Sequence, residues 1–257
     1  MDFTKQMFFD GGMGTMLQQG FTPIQTHRQY IESGADIITT NTFGIFDPAK
    51  IQEEVSYAKQ AIKETNTEGK KLIAFDIAPT GKLLEPYGDT TYDECYNMFL
   101  QAAEAGAKAG VDFIIVETMQ DIEELKAAVT ASISTGLPVA ATMTFDKDGR
   151  TMMGVDLRGM TVLLESLRVA AIGMNCGFGP ELYEELVPQL AKLTNLPIIV
   201  QPNAGLPELV DGKPTYNMTP EAFANHMSKI SAYANILGGC CGTTPAHIRE
   251  MVSLCRG

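Results

Sequence analysis

The chain has 257 residues, 45% of them hydrophobic and 19% charged, a balance that excludes a disordered or fibrous protein and leaves material for a large core. Lys and Arg number 19 against 31 Asp and Glu, and the resulting net charge of −12 disfavours nucleic acid and anionic membranes as partners, because both call for a basic surface.

Short β-branched runs alternate with longer stretches of helical spacing. In chain order they predict a strand at Met7–Asp10, a helix at Thr22–Ser33, a strand at Asp36–Thr42 and a helix at Pro48–Thr65. A strand at Lys71–Ala78, a helix at Thr91–Ala109, a strand at Val111–Thr118 and a helix at Asp121–Thr135 come next. Then follow a strand at Pro138–Phe145, a helix at Leu157–Leu167, a strand at Ala170–Cys176 and a helix at Pro180–Leu193. The series ends with a strand at Pro197–Asn203, a helix at Thr219–Ser231, a strand at Ala234–Gly239 and a helix at Thr244–Leu254. Helix ends carry their usual signals: Asp121 as an N-cap, Gly136 just past a helix, and Pro180, Pro220 and Pro245 in first turns. Eight strand-helix units predict a single (β/α)8 TIM barrel over residues 1–257, with a doubly wound open sheet as the rival.

In such a barrel the chemistry sits at the carboxyl ends of the strands. Those ends read Asp10-Gly11-Gly12, Asn41-Thr42, Asp76, Glu117-Thr118, Thr144, Asn175-Cys176-Gly177, Asn203 and Gly238-Gly239-Cys240-Cys241-Gly242. They hold no Lys, which argues against a Schiff-base aldolase. His27, His226 and His247 fall in helical stretches and read as surface or packing residues. Three of the five cysteines share this face. Adjacent side chains of a regular strand face opposite ways, but glycines at 238, 239 and 242 free the backbone to turn Cys240 and Cys241 towards one point, with Cys176 arriving from another strand. Three thiolates with one open position describe a catalytic zinc site; buried core thiols or a strained disulfide are the alternatives. Cys95 and Cys255 lie in helical stretches and read as structural.

Two further features stand out. Asp10-Gly11-Gly12-Met13-Gly14 is either a tight turn or an anion cradle whose N–H groups suit a carboxylate, though it lacks the residues of a P-loop. Glu117 ends an apolar strand, where an unpaired carboxylate is costly, so it requires a cation from the protein or from a substrate. An odd number of cysteines and the lack of an apolar run long enough for a leader or a membrane helix give a cytoplasmic, membrane-free expectation.

Asp10–Leu17, Gly34–Phe43, Met174–Pro180, Gln201–Pro207 and Leu237–Pro245 together resemble the homocysteine S-methyltransferase family, in order and in spacing, from about residue 8 to residue 251. Thr90–Glu94 and Pro202–Pro207 most resemble the homocysteine module of cobalamin-dependent methionine synthase. The resemblance implies a barrel that methylates homocysteine to methionine, with Zn2+ on Cys176, Cys240 and Cys241 as the catalytic centre. It implies that Asp10 and Gly11 hold the amino-acid end of homocysteine and Glu117 its ammonium, with Asn41, Thr42 and Asn175 around the pocket. The chain is short for that family and has no room for folate, cobalamin or reactivation domains. A stand-alone module is therefore expected, served by a separate corrinoid protein carrying methylcobalamin and by a folate-domain protein. S-methylmethionine or betaine is the alternative donor. Betaine usually wants an aromatic cage, and near the strand ends only Phe43, Phe46 and Phe145 qualify. Another small thiol as acceptor, or a zinc-binding accessory subunit without activity of its own, are the remaining alternatives.

Overall fold

In a computed structural model the described residues are 1–256 apart from 66, 68 and 211. Eight parallel strands form one sheet: β1 (Met7–Phe8), β2 (Ile37–Thr39), β3 (Leu72–Ile77), β4 (Phe113–Met119), β5 (Val139–Met143), β6 (Ala171–Asn175), β7 (Ile198–Gln201) and β10 (Ile236–Leu237). The intervening β8 (Glu208–Val210) and β9 (Lys213–Thr215) make a separate antiparallel hairpin. The order around the sheet is β1-β10-β7-β6-β5-β4-β3-β2. A parallel bridge between Phe9 and Ile37, with Asp10 N–H donating to the Ile37 carbonyl at 3.0 Å, joins the two ends and closes a barrel. The open-sheet rival is thereby excluded.

Helices α1 (Met13–Gln18), α2 (Pro23–Glu32), α3 (Pro48–Glu64), α4 (Tyr92–Ala109), α5 (Ile122–Ile133), α6 (Leu157–Ser166), α7 (Pro180–Leu190), α8 (Pro220–Ile230) and α9 (Pro245–Cys255) connect the strands. Their boundaries follow local chemistry. Thr22 and Thr91 each close a capping box, with Gln25 and Glu94 respectively. The Asp121 carboxylate accepts from the N–H groups of Glu123 and Glu124. Prolines open α7, α8 and α9, as their positions predict. The α3 stripe Ile51, Val55 and Ala58 is fully buried against the barrel. Among the described residues no helix is long and apolar enough to cross a membrane.

The barrel interior has two characters. Its lower part is an apolar plug that includes Phe9, Ile37, Phe113, Ile115 and Ile199, sealed by Phe3, whose ring meets Phe113 edge-on at 5.2 Å. Two residues further along each strand, the same inward side carries Thr39, Asp76, Glu117, Thr142, Asn175 and Gln201. The strand pattern therefore stops the dry core partway up and gives the C-terminal end a polar floor.

The ladders are shorter than the sequence predicts. Predicted strand Asp36–Thr42 pairs only over Ile37–Thr39, and Ala234–Gly239 only over Ile236–Leu237, because the last residues of these runs peel away to shape the mouth. The turn after β1 runs directly into α1 rather than ending as a simple turn. The β8–β9 hairpin lies in a stretch without a predicted element.

Candidate metal centre and substrate pocket

A cavity of about 280 Å³ opens at the C-terminal end of the barrel, and its wall includes Asp10, Gly11, Asn41, Asp76, Glu117, Cys176, Cys240 and Cys241. Acids come from the ends of β1, β3 and β4, and sulfurs from the ends of β6 and β10. Among the described residues the wall contains no Lys, Arg or His.

The ligand atoms of Cys176, Cys240 and Cys241 all lie within 4.8 Å of one another, and the Cys240 and Cys241 sulfurs are 4.0 Å apart. Sulfurs on a tetrahedral metal at bonds of about 2.3 Å stand about 3.8 Å apart, so the trio fits one ion with little adjustment. The cysteines are free thiols, which excludes the disulfide alternative here. Three sulfurs so close cannot all ionise without a cation. Hydrogen bonds from Cys176 and Cys240 pull Cys241 down to about 3, while its hydrogen bonds to Cys176 and Cys241, with burial, push Cys240 up. Nearby, the buried Asn203 Oδ1 has no hydrogen-bond partner, although its Nδ2 donates to the Gly177 carbonyl at 3.2 Å. Three free thiols converging on one point are the donor set of a soft-metal centre.

Backbone geometry explains how the sulfurs converge. Cys176 follows Asn175 at the end of β6 with φ of 62°, a left-handed conformation that is costly for a residue with a Cβ. It is fixed by Cys176 N–H donating to the Gln201 carbonyl at 3.0 Å and by Tyr183 Oη donating to the Cys176 carbonyl at 2.6 Å. The Cys240-Cys241 turn is clamped by Cys240 N–H to Pro202 O at 2.8 Å and by Ala204 N–H to Cys241 O at 3.0 Å. Of the three flanking glycines only Gly242 takes positive φ, 80°. The others serve close packing, contrary to the expectation that all three loosen the backbone: a Cβ on Gly239 would lie 2.4 Å from Thr243 Oγ1. The glycine turn after β1 packs against this loop in the same way, since a Cβ on Gly12 would lie 2.7 Å from the Cys240 carbonyl oxygen. Gly12 N–H donates to Thr243 Oγ1 at 3.0 Å.

On the acid side, Asp10 is 2% exposed and accepts from Thr39 N–H at 2.8 Å and from Thr39 Oγ1 at 2.9 Å. Burial outweighs those bonds and pushes its carboxyl up to about 7. Glu117, 9% exposed, is pushed up to about 8 by burial, then by Asp10 and Cys241. Asp76 is also driven well up, by burial first and then by Glu117 and Asp10. Glu117 faces inward by regular alternation, and a register shift follows it: Val116 pairs with Ala141 but Met119 with Met143, and Thr118 between them has φ of 61°. Such bulges re-aim side chains beside functional sites.

The sequence-derived residues divide by position. Asp10, Gly11, Asn41, Glu117 and the three cysteines line the cavity. Thr42 does not; it is buried behind the wall, its hydroxyl donating to the Asp76 carbonyl at 2.8 Å. Asn175 is likewise behind the wall. Its Oδ1 accepts from Thr118 N–H at 2.9 Å and Thr142 Oγ1 at 2.8 Å, and its Nδ2 donates to Thr118 Oγ1 at 2.8 Å, tying the end of β6 to the bulge after Glu117. The sequence reading placed Asp76 at a strand end without giving it a role, although it is an acid at an inward position of an apolar strand, the same signal that marked Glu117. The three histidines stay off the cavity: His226 pairs with Glu184, His247 caps α9 and His27 is buried in α2. Of Phe43, Phe46 and Phe145, only Phe43 lines the cavity.

Comparison with known proteins assigns the chain to a family. The model of the homocysteine S-methyltransferase family matches residues 7–255. The chain is 32% identical to the methionine synthase of Mycobacterium tuberculosis and 31% identical to that of Mycobacterium leprae, in each case over 96% of this chain and 24% of the relative. It thus spans about a quarter of the length of these curated relatives. The metallated homocysteine methyltransferase MmuM from Escherichia coli superposes with a TM-score of 0.80 at 22% identity, covering 97% of this chain and 96% of that one; at that identity the likeness speaks for the fold. The chain belongs to the homocysteine S-methyltransferase family.

Proposed function

We propose that the protein transfers a methyl group to the sulfur of homocysteine, giving methionine, with Zn2+ held by Cys176, Cys240 and Cys241. The single observation that carries this reading is the arrangement of one cavity with a trithiol cluster on one side and buried, cation-seeking carboxyls on the other. A bound zinc ion supplies the positive charge that ionises a guest thiol at neutral pH, where a free thiol is only a few per cent thiolate.

The chain's own groups do the rest. Three cysteinate charges from Cys176, Cys240 and Cys241 would more than offset the two of the metal, and so electron-rich a centre would leave a guest sulfur nucleophilic. Glu117 offers its carboxylate to the substrate ammonium, and the pairing favours ionisation of a carboxyl that burial otherwise keeps protonated. The Gly11–Gly12 turn brings backbone close to the amino-acid end. No side chain need act as a base during transfer, in keeping with a wall that carries no His or Lys among the described residues.

For the donor, the reading is a methyl-corrinoid presented at the barrel mouth by a cobalamin protein that is in turn recharged by a folate-domain protein. It is supported by similarity to methionine synthases over a quarter of their length. Among the described residues one aromatic side chain, Phe43, is on the cavity wall, a poor cage for a quaternary ammonium such as betaine. Metal analysis together with homocysteine methylation across methylcobalamin, S-methylmethionine and betaine tests the proposal. It predicts about one zinc per chain and turnover with the corrinoid donor; turnover only with S-methylmethionine or betaine overturns the donor, and a metal-free active protein overturns the centre.

A further inference from the structure

Asp76 is a carboxyl that neither the fold nor the metal centre employs. It sits on β3, 4% exposed, in the wall of the cavity, and its Oδ1 has no hydrogen-bond partner. Its backbone is fixed on both sides: Thr40 Oγ1 lies 3.1 Å from Asp76 N, and Thr42 Oγ1 donates to the Asp76 carbonyl at 2.8 Å. The buried hydroxyls of Thr40 and Thr42 also bond each other at 2.7 Å. The sequence thus invests two buried threonines in holding rigid a side chain whose own oxygen is left unpaired. A buried carboxyl in that condition is costly unless a guest completes it.

Among the described residues no Lys, Arg or His lines the cavity, so a cation for Asp76 has to come from a guest. A metal ion is disfavoured by geometry. Among the described residues, the only set of three or more His, Cys, Asp or Glu whose ligand atoms approach within 4.8 Å of one another is the cysteine trio. Asp10 already has two donors in Thr39. That leaves Asp76 and Glu117, inward-facing on the adjacent parallel strands β3 and β4, where Asp76 pairs with Ile115 and Glu117 stands two residues further on. Two carboxyls offset by one inward position can share the three N–H donors of an ammonium group, which neither alone would satisfy.

Resting on the homocysteine reading above, we propose that Asp76 is a substrate-binding residue that shares the α-ammonium of the amino-acid substrate with Glu117 and so sets selectivity for thiols bearing an amine. Thr42 then acts through Asp76, as a positioning residue.

The test compares L-homocysteine with 4-mercaptobutanoate, which keeps the thiol and carboxylate but lacks the amine, in zinc-loaded wild type, Asp76→Asn and Asp76→Ser. Affinity, KM and kcat are followed together with zinc content and melting temperature. The expected result is that both variants keep the metal, weaken homocysteine by about 10- to 100-fold in affinity and KM, change kcat far less, and leave the amine-free analogue within about twofold. Equal losses for both ligands would show a merely structural role and overturn the inference. So would an unchanged preference for the amine in the variants. A wild type that does not bind homocysteine overturns the homocysteine reading itself, and this inference with it.

Discussion

Cys240 shows how much of the chemistry is written in single residues. Its thiol is one of three on which the metal depends, and outer-shell changes alone typically cost 10- to 100-fold in metal affinity. Cys240→Ser is therefore expected to drop zinc from about one per chain to near zero and methyl transfer by more than about 100-fold, checked by metal analysis and initial rates. Asp10 offers a prediction in pH. Its folded value of about 7 lies above the ordinary 3.8. The stabilising contribution of a raised carboxyl is complete below the unfolded value and is lost as pH rises through the folded one, so the window runs from about pH 4 to 7. Asp10→Asn should flatten that part of the pH dependence of melting temperature and weaken homocysteine binding; parallel profiles for wild type and variant would contradict it. The cysteines stood out in the sequence because three of the five fall at strand ends on one face, and Glu117 because a carboxyl at the end of an apolar strand is expensive to bury. Asp76 carried the same mark, yet its unpaired oxygen and the threonines behind it appear only in three dimensions.

At the level of elements, the site depends on departures from regular strands. The bulge in β4 and the left-handed Thr118 and Cys176 bring to the cavity wall two side chains that alternation would turn away from it. Asn175 links the two, and removing its side chain leaves Thr118 N–H, Thr118 Oγ1 and Thr142 Oγ1 without these partners. At about 1 kcal/mol per bond, Asn175→Ala should cost about 3 kcal/mol in stability, read by denaturant unfolding, and lower kcat/KM through Glu117. Periodicity in the sequence gave eight strands and their helices in the right order because it records which face is buried. It gave no access to positive φ at Thr118 or Cys176, since neither residue type prefers it, and the ends of short strands were overextended for the same reason. The β8–β9 hairpin escaped notice because its first strand is exposed and shows no buried face.

For the molecule as a whole, the barrel separates stability from chemistry. Phe3, Phe9 and Phe113 seal the lower interior, while acids and sulfurs occupy the upper rim. Metal binding should then stabilise without remaking the fold: zinc removal by a chelator is predicted to lower the melting temperature while the far-ultraviolet circular dichroism at 25 °C stays that of a folded α/β protein. Loss of that spectrum on chelation would show instead that the ion holds the barrel together. The central claim, a three-sulfur metal centre that accepts a guest thiol, is tested most directly by X-ray absorption at the zinc edge with and without L-homocysteine. Three sulfurs at about 2.3 Å should become four when homocysteine is added; fewer than three protein sulfurs, or a coordination shell that homocysteine leaves unchanged, would contradict the account.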